Sequence, residues 1–279
     1  MRFRTDTLID LALAEDAGHG DVTSESIVPV DQVSVATILA GEDLTLCGLE
    51  VAQRVFERVD AALAIVLKSS DGDRVHKGYV VLQAEGATLS LLLAERTVLN
   101  FLQRLSAIAT LSSSFADAAI LAGTGVRVVD TRKTTPGWRA LEKFAVRCGG
   151  CFNHRASLGE HVLIKENHIA AAGSLTMAVE RARNHAAHCA KIEVETETLA
   201  EVHEAIAAGA EVILLDNMSA SQIGAAVALI DEAAIVEVSG GINLETFADF
   251  ALPGVDVISV GALTHSAPAV DFSMRLNSD

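Results

Sequence analysis

The feature that most constrains this chain is a recurrence in its second half. From Gly125 onward, short apolar runs each close on polar or glycine residues: VRVVD (126–130), VLIKE (162–166), KIEVE (191–195), VILLD (212–216), IVEVS (235–239) and VISVG (257–261). Runs this short and rich in β-branched residues read as strands buried on both faces. The intervening segments carry helix starts: Ser174 opens one, Thr198 with Glu201 and Ser219 with Gln222 form capping boxes, and Asn243 can cap the next. Strand and helix alternating at this spacing imply right-handed crossovers and a parallel sheet. Six such units suit an incomplete parallel α/β barrel better than a full eightfold one.

The first third reads differently. Residues 5–17 have helical spacing, with Leu8, Leu11 and Ala12 on one face and Thr5 or Asp6 as N-cap, until Gly18-His19-Gly20-Asp21 breaks the helix. Val33 to Ala40 alternates like a half-buried strand, Leu49 to Val59 is an amphipathic helix, and Leu63 to Lys68 is a second strand. After the Asp71-Gly72-Asp73 turn, Val75 to Ala84 and Ala87 to Leu93 read as a hairpin. Glu95 to Leu121 is a long apolar helical run, with a break expected at Ser112-Ser113-Ser114. The chain therefore divides into a small α+β domain with its linking helix (1–107) and the barrel (108–279).

With half its 279 residues apolar, the chain can bury a large core, and since only 4% are aromatic, Ala, Leu, Val and Ile must fill it. No apolar run reaches the roughly 18–20 residues that span a bilayer. The N-terminal stretch has acids inside its apolar part and no small-residue cleavage site, so it does not read as a signal peptide. Four cysteines in a chain this long do not make a disulfide framework. The expectation is a cytoplasmic, soluble protein.

Charge is unevenly placed. Asp130 to Ile169 holds Arg132, Lys133, Arg139, Lys143, Arg147, Arg155 and Lys165, seven of the 21 Lys and Arg, against four of the 37 Asp and Glu. The segment is about +3 in a chain of net charge −16. The overall acidic field repels nucleic acid and anionic membranes. A cationic island inside it fits a pocket for a small, multiply anionic ligand held by Arg forks and Lys point charges.

The six strand ends present Asp130 to Lys133, Lys165-Glu166, Glu195, Asp216, Ser239-Gly240-Gly241 and Gly261. In parallel barrels these carboxyl ends converge on one cavity. Ser239 to Gly241 and Val260-Gly261-Ala262 follow the last two strands, where small residues let backbone N–H groups approach a phosphate. Glu195 and Asp216 suit Mg²⁺, which takes one or two carboxylates plus substrate oxygens, and equally suit ribose hydroxyls. Cys148-Gly-Gly-Cys151 has CxxC spacing without the strand-to-helix context of a redox pair, and a glycine-rich turn is the preferred reading.

Together DTRKTTPG (130–137), LEKFAVRCGG (141–150), NHR (153–155), LIKENHI (163–169), ILLDNMS (213–219), EVSGGI (237–242) and VGALTHS (260–266) resemble the quinolinate phosphoribosyltransferase family. The N-terminal ALAEDAGHGDVTSESIVP and the ERTVLNFLQRLSAIAT helix are similar to it as well, so the resemblance covers nearly the whole chain. It implies a TIM-like incomplete barrel preceded by an α+β sandwich, assembled as a dimer or hexamer. The implied reaction joins quinolinate to 5-phosphoribosyl-1-pyrophosphate with Mg²⁺ and loses CO₂. By the same resemblance Arg132, Arg155 and Lys165 grip the quinolinate carboxylates beside Thr131 and His154, and Arg96 reaches a neighbouring subunit's site. Lys133 serves quinolinate or pyrophosphate, Glu195 and Asp216 serve the ribose or its metal, and the 239–241 and 260–262 loops hold the 5-phosphate. Two positions depart from the pattern: Cys151 replaces a third glycine, and Glu166 an Asp. The alternatives are a same-fold paralogue acting on another small acid, and an aldolase or decarboxylase with Lys165 or Lys133 as Schiff base.

Overall fold

The computed structural model describes residues 2–277, with side chains from Thr5 onward. In chain order the first elements are α1 (Arg2–Ala17), α2 (Val22–Ile27), β1 (Val33–Ala40), β2 (Leu44–Thr45), α3 (Leu49–Val59), β3 (Ala64–Leu67), β4 (Arg74–Val75), β5 (Val80–Ala87) and α4 (Thr88–Ala122). There follow β6 (Arg127–Val129), α5 (Arg139–Cys148), β7 (Val162–Ile164), α6 (Glu166–Ala172), α7 (Leu175–His185), β8 (Ile192–Thr196), α8 (Leu199–Ala207) and β9 (Val212–Asp216). The last are α9 (Ala220–Ile230), β10 (Ile235–Ser239), α10 (Phe247–Phe250), β11 (Val257–Ser259), α11 (Ala262–His265) and β12 (Phe272–Asn277).

Two compact units emerge. The first gathers residues 1–113, 135–150 and 267–279; the second gathers 114–134 and 151–266. A cut at 107/108 follows chain order, whereas contacts interleave the segments, because β12 returns to pair antiparallel with β1, Ala40 facing Phe272 and Val35 facing Asn277.

In the first unit an antiparallel sheet in the order β12-β1-β5-β3 carries the core. Ile38, Leu82 and Ala84 are buried in it, and α3 buries Leu49, Val51, Ala52, Val55 and Phe56 along one side. The expected hairpin between 75 and 93 does not form. β5 pairs with β1 and β3 instead, and the ATLSLLL run after it enters α4, as suits a continuous stretch of Ala and Leu with no alternation. Nor does α1 begin at Thr5 or Asp6. It starts three residues or more earlier, and the Asp6 carboxylate pairs with Arg54 rather than capping.

Helix α4 runs unbroken through the three serines. Ser113 returns its hydroxyl to the Thr110 carbonyl (3.1 Å), which lets a polar residue sit inside a helix. Small side chains are needed there because Gly149 lies against the same turn: a Cβ at Gly149 would stand 2.4 Å from both the Ala109 carbonyl oxygen and the Ser112 Cβ. By length and composition α4 is also apolar enough to cross a membrane, contrary to the reading from apolar runs. Its Leu91, Val98, Phe101, Leu102, Leu105 and Ile108 are buried in the protein's own core, where Phe101 stacks on Trp138 with centroids 4.8 Å apart.

The turn at 148–151 has Gly150 at φ 88, while Cys151 has negative φ, so the missing third glycine is no burden. Cys148 and Cys151 fall in different units; Cys148 neighbours Cys47 and Asp71, their ligand atoms lying within 4.8 Å of one another.

The second unit is a parallel six-stranded sheet in the order β6-β11-β10-β9-β8-β7. Because first and last strands pair (Val129 with Ser259), the sheet rolls up. It stays open between β7 and the segment at Phe152, which bridges to Val129 on the other edge of β6. All six expected strands are present. Ser174, Thr198 and Ser219 cap α7, α8 and α9 as their sequences predict. Asn243 differs: its carboxamide oxygen accepts the N–H groups of Glu245 and Thr246 in a turn one step ahead of α10.

Candidate active site

The strand ends of the second unit enclose a cavity of about 310 Å³ lined by Thr131, Arg132, Lys133, His154, Arg155, Leu163, Lys165, Glu195, Leu214, Asp216, Glu237, Ser239 and Ser259. Its size lies in the range of small-molecule sites. Nine of the expected residues are brought together: Thr131, Arg132, Lys133, His154, Arg155, Lys165, Glu195, Asp216 and Ser239.

The cations are held in place by local structure. Lys165 is the N-cap of α6, its backbone N–H donating to His168 Nδ1 (2.9 Å), so strand β7 ends at Ile164, two residues before the end of the VLIKE run. Its ammonium donates to Glu195 on the next strand. Lys165 is thus half-exposed and paired with a carboxylate, the reverse of the desolvated or cation-flanked setting a Schiff-base lysine requires. Arg155 is buried and donates through one guanidinium nitrogen to the His161 carbonyl (3.0 Å). Burial and the neighbouring Arg132 charge lower its pKa, outweighing the Glu193 and Glu160 carboxylates that act in the other direction. The loop after β6 is tied down twice: Asp130, fully buried, accepts from Asn153 (2.6 Å) and from the His154 backbone N–H (2.9 Å), and Thr264 donates to the Lys133 carbonyl (2.8 Å).

Beneath the cations lies a network that the sequence reading did not single out. Glu193 accepts from His161 Nε2 (3.1 Å) and from His154 Nε2 (3.3 Å), and Glu237 Oε1 stands 3.5 Å from the same His154 nitrogen. His154 Nδ1 accepts the Arg155 backbone N–H (2.8 Å), which places the proton of the neutral ring on Nε2. An N–H, not a lone pair, therefore faces Glu193, so His154, His161 and Glu193 form a hydrogen-bonded cluster rather than a cation cage. Burial would raise the Glu193 carboxyl, but the hydrogen bonds from His154 and His161 prevail and bring it down to about 2. Glu237 goes the other way, to about 7, because burial and the Glu193 charge outweigh His154 and Ser259. The signal was available in the two-residue period of a strand: Glu193 shares a face with Glu195, and Glu237 with Ser239.

Two carboxylates near the mouth suit a divalent cation. Glu195 and Asp216, from adjacent strands, are both partly exposed to the cavity, and Asp216 spends one oxygen on Asn217 (2.7 Å). After Ser239, Gly240 and Gly241 both have positive φ (101° and 64°), and a Cβ at Gly240 would stand 2.2 Å from Asn217 Oδ1. Only glycine fits that contact. At the next loop the Val260 N–H is bonded to the Val129 carbonyl (2.9 Å) and its side chain is buried, so sheet pairing rather than a ligand occupies it. Gly261 lies close to Lys133, where a Cβ would meet Lys133 Cδ at 3.2 Å. Arg96 is exposed on α4 in the first unit and does not line the cavity, nor do Gly240, Gly241, Val260, Gly261 and Ala262.

A rolled parallel sheet whose carboxyl ends gather cations, two mouth carboxylates and a glycine turn defines an α/β-barrel enzyme for small anionic substrates. Comparison with known proteins gives the particular family. Residues 21–106 match the quinolinate phosphoribosyl transferase N-terminal domain and residues 108–275 its C-terminal domain. A probable carboxylating nicotinate-nucleotide pyrophosphorylase of Bacillus subtilis (strain 168) is 43% identical over 96% of this chain and 91% of its own. The decarboxylating quinolinate phosphoribosyltransferase 1b of Nicotiana tabacum is 41% identical, covering 98% and 82%. The crystal structure of NadC from Streptococcus pyogenes superposes with a TM-score of 0.94 at 42% identity, over 99% and 98% of the two chains. This chain belongs to the quinolinate phosphoribosyltransferase family.

Proposed function

We propose that this protein transfers the phosphoribosyl group of 5-phosphoribosyl-1-pyrophosphate to quinolinate, with decarboxylation, yielding nicotinate mononucleotide, pyrophosphate and CO₂. The observation that carries the reading is one cavity lined by Arg132, Lys133, Arg155 and Lys165 in a chain whose net charge is −16. Quinolinate is a dianion and its partner carries several negative charges, so their repulsion must be offset before the ring nitrogen can reach the ribose C1 carbon. Arg132, Arg155 and Lys165, with Thr131 and His154, take the two carboxylates, and Lys133 sits toward the leaving pyrophosphate.

Departure of pyrophosphate leaves a cationic ribose, which Glu195 and Asp216 stabilise. Those two carboxylates would also hold Mg²⁺, which when bound neutralises pyrophosphate charge. The Ser239-Gly240-Gly241 turn, with the Gly261-Ala262 start of α11, would hold the 5-phosphate. Once the ring nitrogen is quaternary, the positive pyridinium is the electron sink for loss of the adjacent carboxylate. The intact cation set favours quinolinate over the other acids a paralogue would use. Arg96, exposed and not among the residues that line the cavity, would complete the site of a second subunit in a dimer or hexamer, and the cytoplasm is the setting we assign.

Arg155→Ala tests the reading. Losing a charge-assisted contact of about 1.5–3 kcal/mol should raise the quinolinate KM roughly 10- to 100-fold, while the phosphoribosyl donor's KM changes little. Arg155→Lys should recover only part, since a lysine cannot make the forked contact. An unchanged quinolinate KM would remove Arg155 from the substrate site.

A further inference from the structure

Glu237 does something in this cavity that the roles above leave unassigned. It lies one inward-facing step below Ser239 on β10, with Leu214 in register on β9 and Val257 on β11. It is 4% exposed, lines the cavity, and its Oε1 has no hydrogen bond among the described residues, a costly state for a buried polar atom without a purpose. His154 Nε2 stands 3.5 Å from it and is closer to Glu193. Glu195 and Asp216, in contrast, have partners and belong to the ribose end.

Resting on the reaction inferred above, we propose that Glu237 is the acid that returns a proton to the ring carbon vacated by the departing carboxylate. The C–CO₂⁻ bond breaks heterolytically, CO₂ leaves, and the electron pair stays on the ring carbon beside the quaternary nitrogen. That pair takes the proton from the Glu237 carboxyl, whose O–H bond breaks to leave a carboxylate. Solvent reprotonates Glu237 as product leaves, so atoms and charge balance with no further reactant.

The surroundings suit that task. The groups facing Glu237 are the Glu193 carboxylate from β8, His154 from the loop after Phe152, the Lys165 ammonium beyond β7 and the Ser259 hydroxyl on β11. Burial and the Glu193 charge favour the protonated acid; His154, Ser259 and Lys165 oppose it, and the balance leaves the carboxyl charged and uncharged in comparable amounts near pH 7. A group poised near the working pH is the one that can give a proton and regain it in each cycle. The spare oxygen also has a reason: bonding it to the protein would hold it away from the ring.

The experiment compares Glu237→Gln and Glu237→Asp with the wild-type protein, at saturating quinolinate, phosphoribosyl pyrophosphate and Mg²⁺, across pH 5.5–9 (an assay range chosen to bracket about 7). The carboxamide keeps the shape and loses the acid. We expect kcat for Glu237→Gln to fall about 100-fold or more, its quinolinate Kd to stay within about threefold, and the decline of wild-type kcat on the alkaline side to vanish. Glu237→Asp should regain part of kcat together with that alkaline decline. The proposal is overturned if Glu237→Gln keeps kcat within about threefold with the alkaline decline intact. It is also overturned if the variant loses quinolinate binding more than about tenfold, since that marks a structural role, or if Glu237→Asp recovers nothing. Absence of nicotinate mononucleotide from the wild-type protein is a separate result, which would fell the inferred reaction itself.

Discussion

Glu193 and Glu237 reach inward from β8 and β10 of one barrel, and their surroundings push them in opposite directions. Glu193 is held below its unfolded value of 4.5, so the stability it contributes is present above about 4.5 and is lost as pH falls toward 2. Glu237 is held above its unfolded value, so its contribution is present below about 4.5 and is lost as pH rises through about 7. The urea midpoint should therefore fall as pH drops from about 4.5 toward 2, and Glu193→Gln should flatten that acid limb, the interaction being on the order of a few kcal/mol. An acid limb unchanged by Glu193→Gln would show that His154 and His161 do not hold the carboxylate charged. Residues that close an apolar run on a polar group advertise a place in the cavity. Lys165, Glu195 and Asp216 stand at strand ends, so their place at the cavity was legible; Glu193 and Glu237 sit inside apolar runs, and only the rolling of the sheet turns them toward the same interior.

At the scale of elements, legibility followed the strength of the local period. The six barrel strands and the caps Ser174, Thr198 and Ser219 were readable because buried strands and helix starts are specified by a few neighbouring residues. The ATLSLLL run was not, since a short apolar stretch has no period that separates strand from helix, and its partner strands decide. The serines of α4 misled for a related reason: their place depends on Gly149, which is distant in sequence. Gly149→Ala should accordingly destabilise by about 1–3 kcal/mol, because a Cβ meets Ala109 O and Ser112 Cβ at 2.4 Å although φ there is an ordinary −77°. A urea midpoint equal to wild type would mean that the α4 turn yields freely. The positive φ of Gly150 makes that neighbour a poorer control than an exposed helix site such as Ala171.

At the scale of the molecule, an acidic chain gathers Arg132, Lys133, Arg155 and Lys165 around one cavity, and Arg96, exposed on α4, is not among the lining residues. If Arg96 serves the site of a second copy, Arg96→Ala and Lys165→Ala proteins, each nearly inactive, should complement when mixed and allowed to exchange subunits. Two-fold symmetry puts both intact residues in about a quarter of the sites, so activity should return to about that fraction of wild type. No recovery, with exchange verified, would place Arg96 in its own chain's chemistry or in none. The account as a whole stands on substrate choice. Its most direct test supplies the protein with phosphoribosyl pyrophosphate and Mg²⁺, with quinolinate in one reaction and nicotinate in a second, and measures nicotinate mononucleotide and CO₂. The account predicts both products in equal amounts from quinolinate, none from nicotinate, and loss of turnover when the metal is chelated; turnover of nicotinate, or none of either acid, would contradict it.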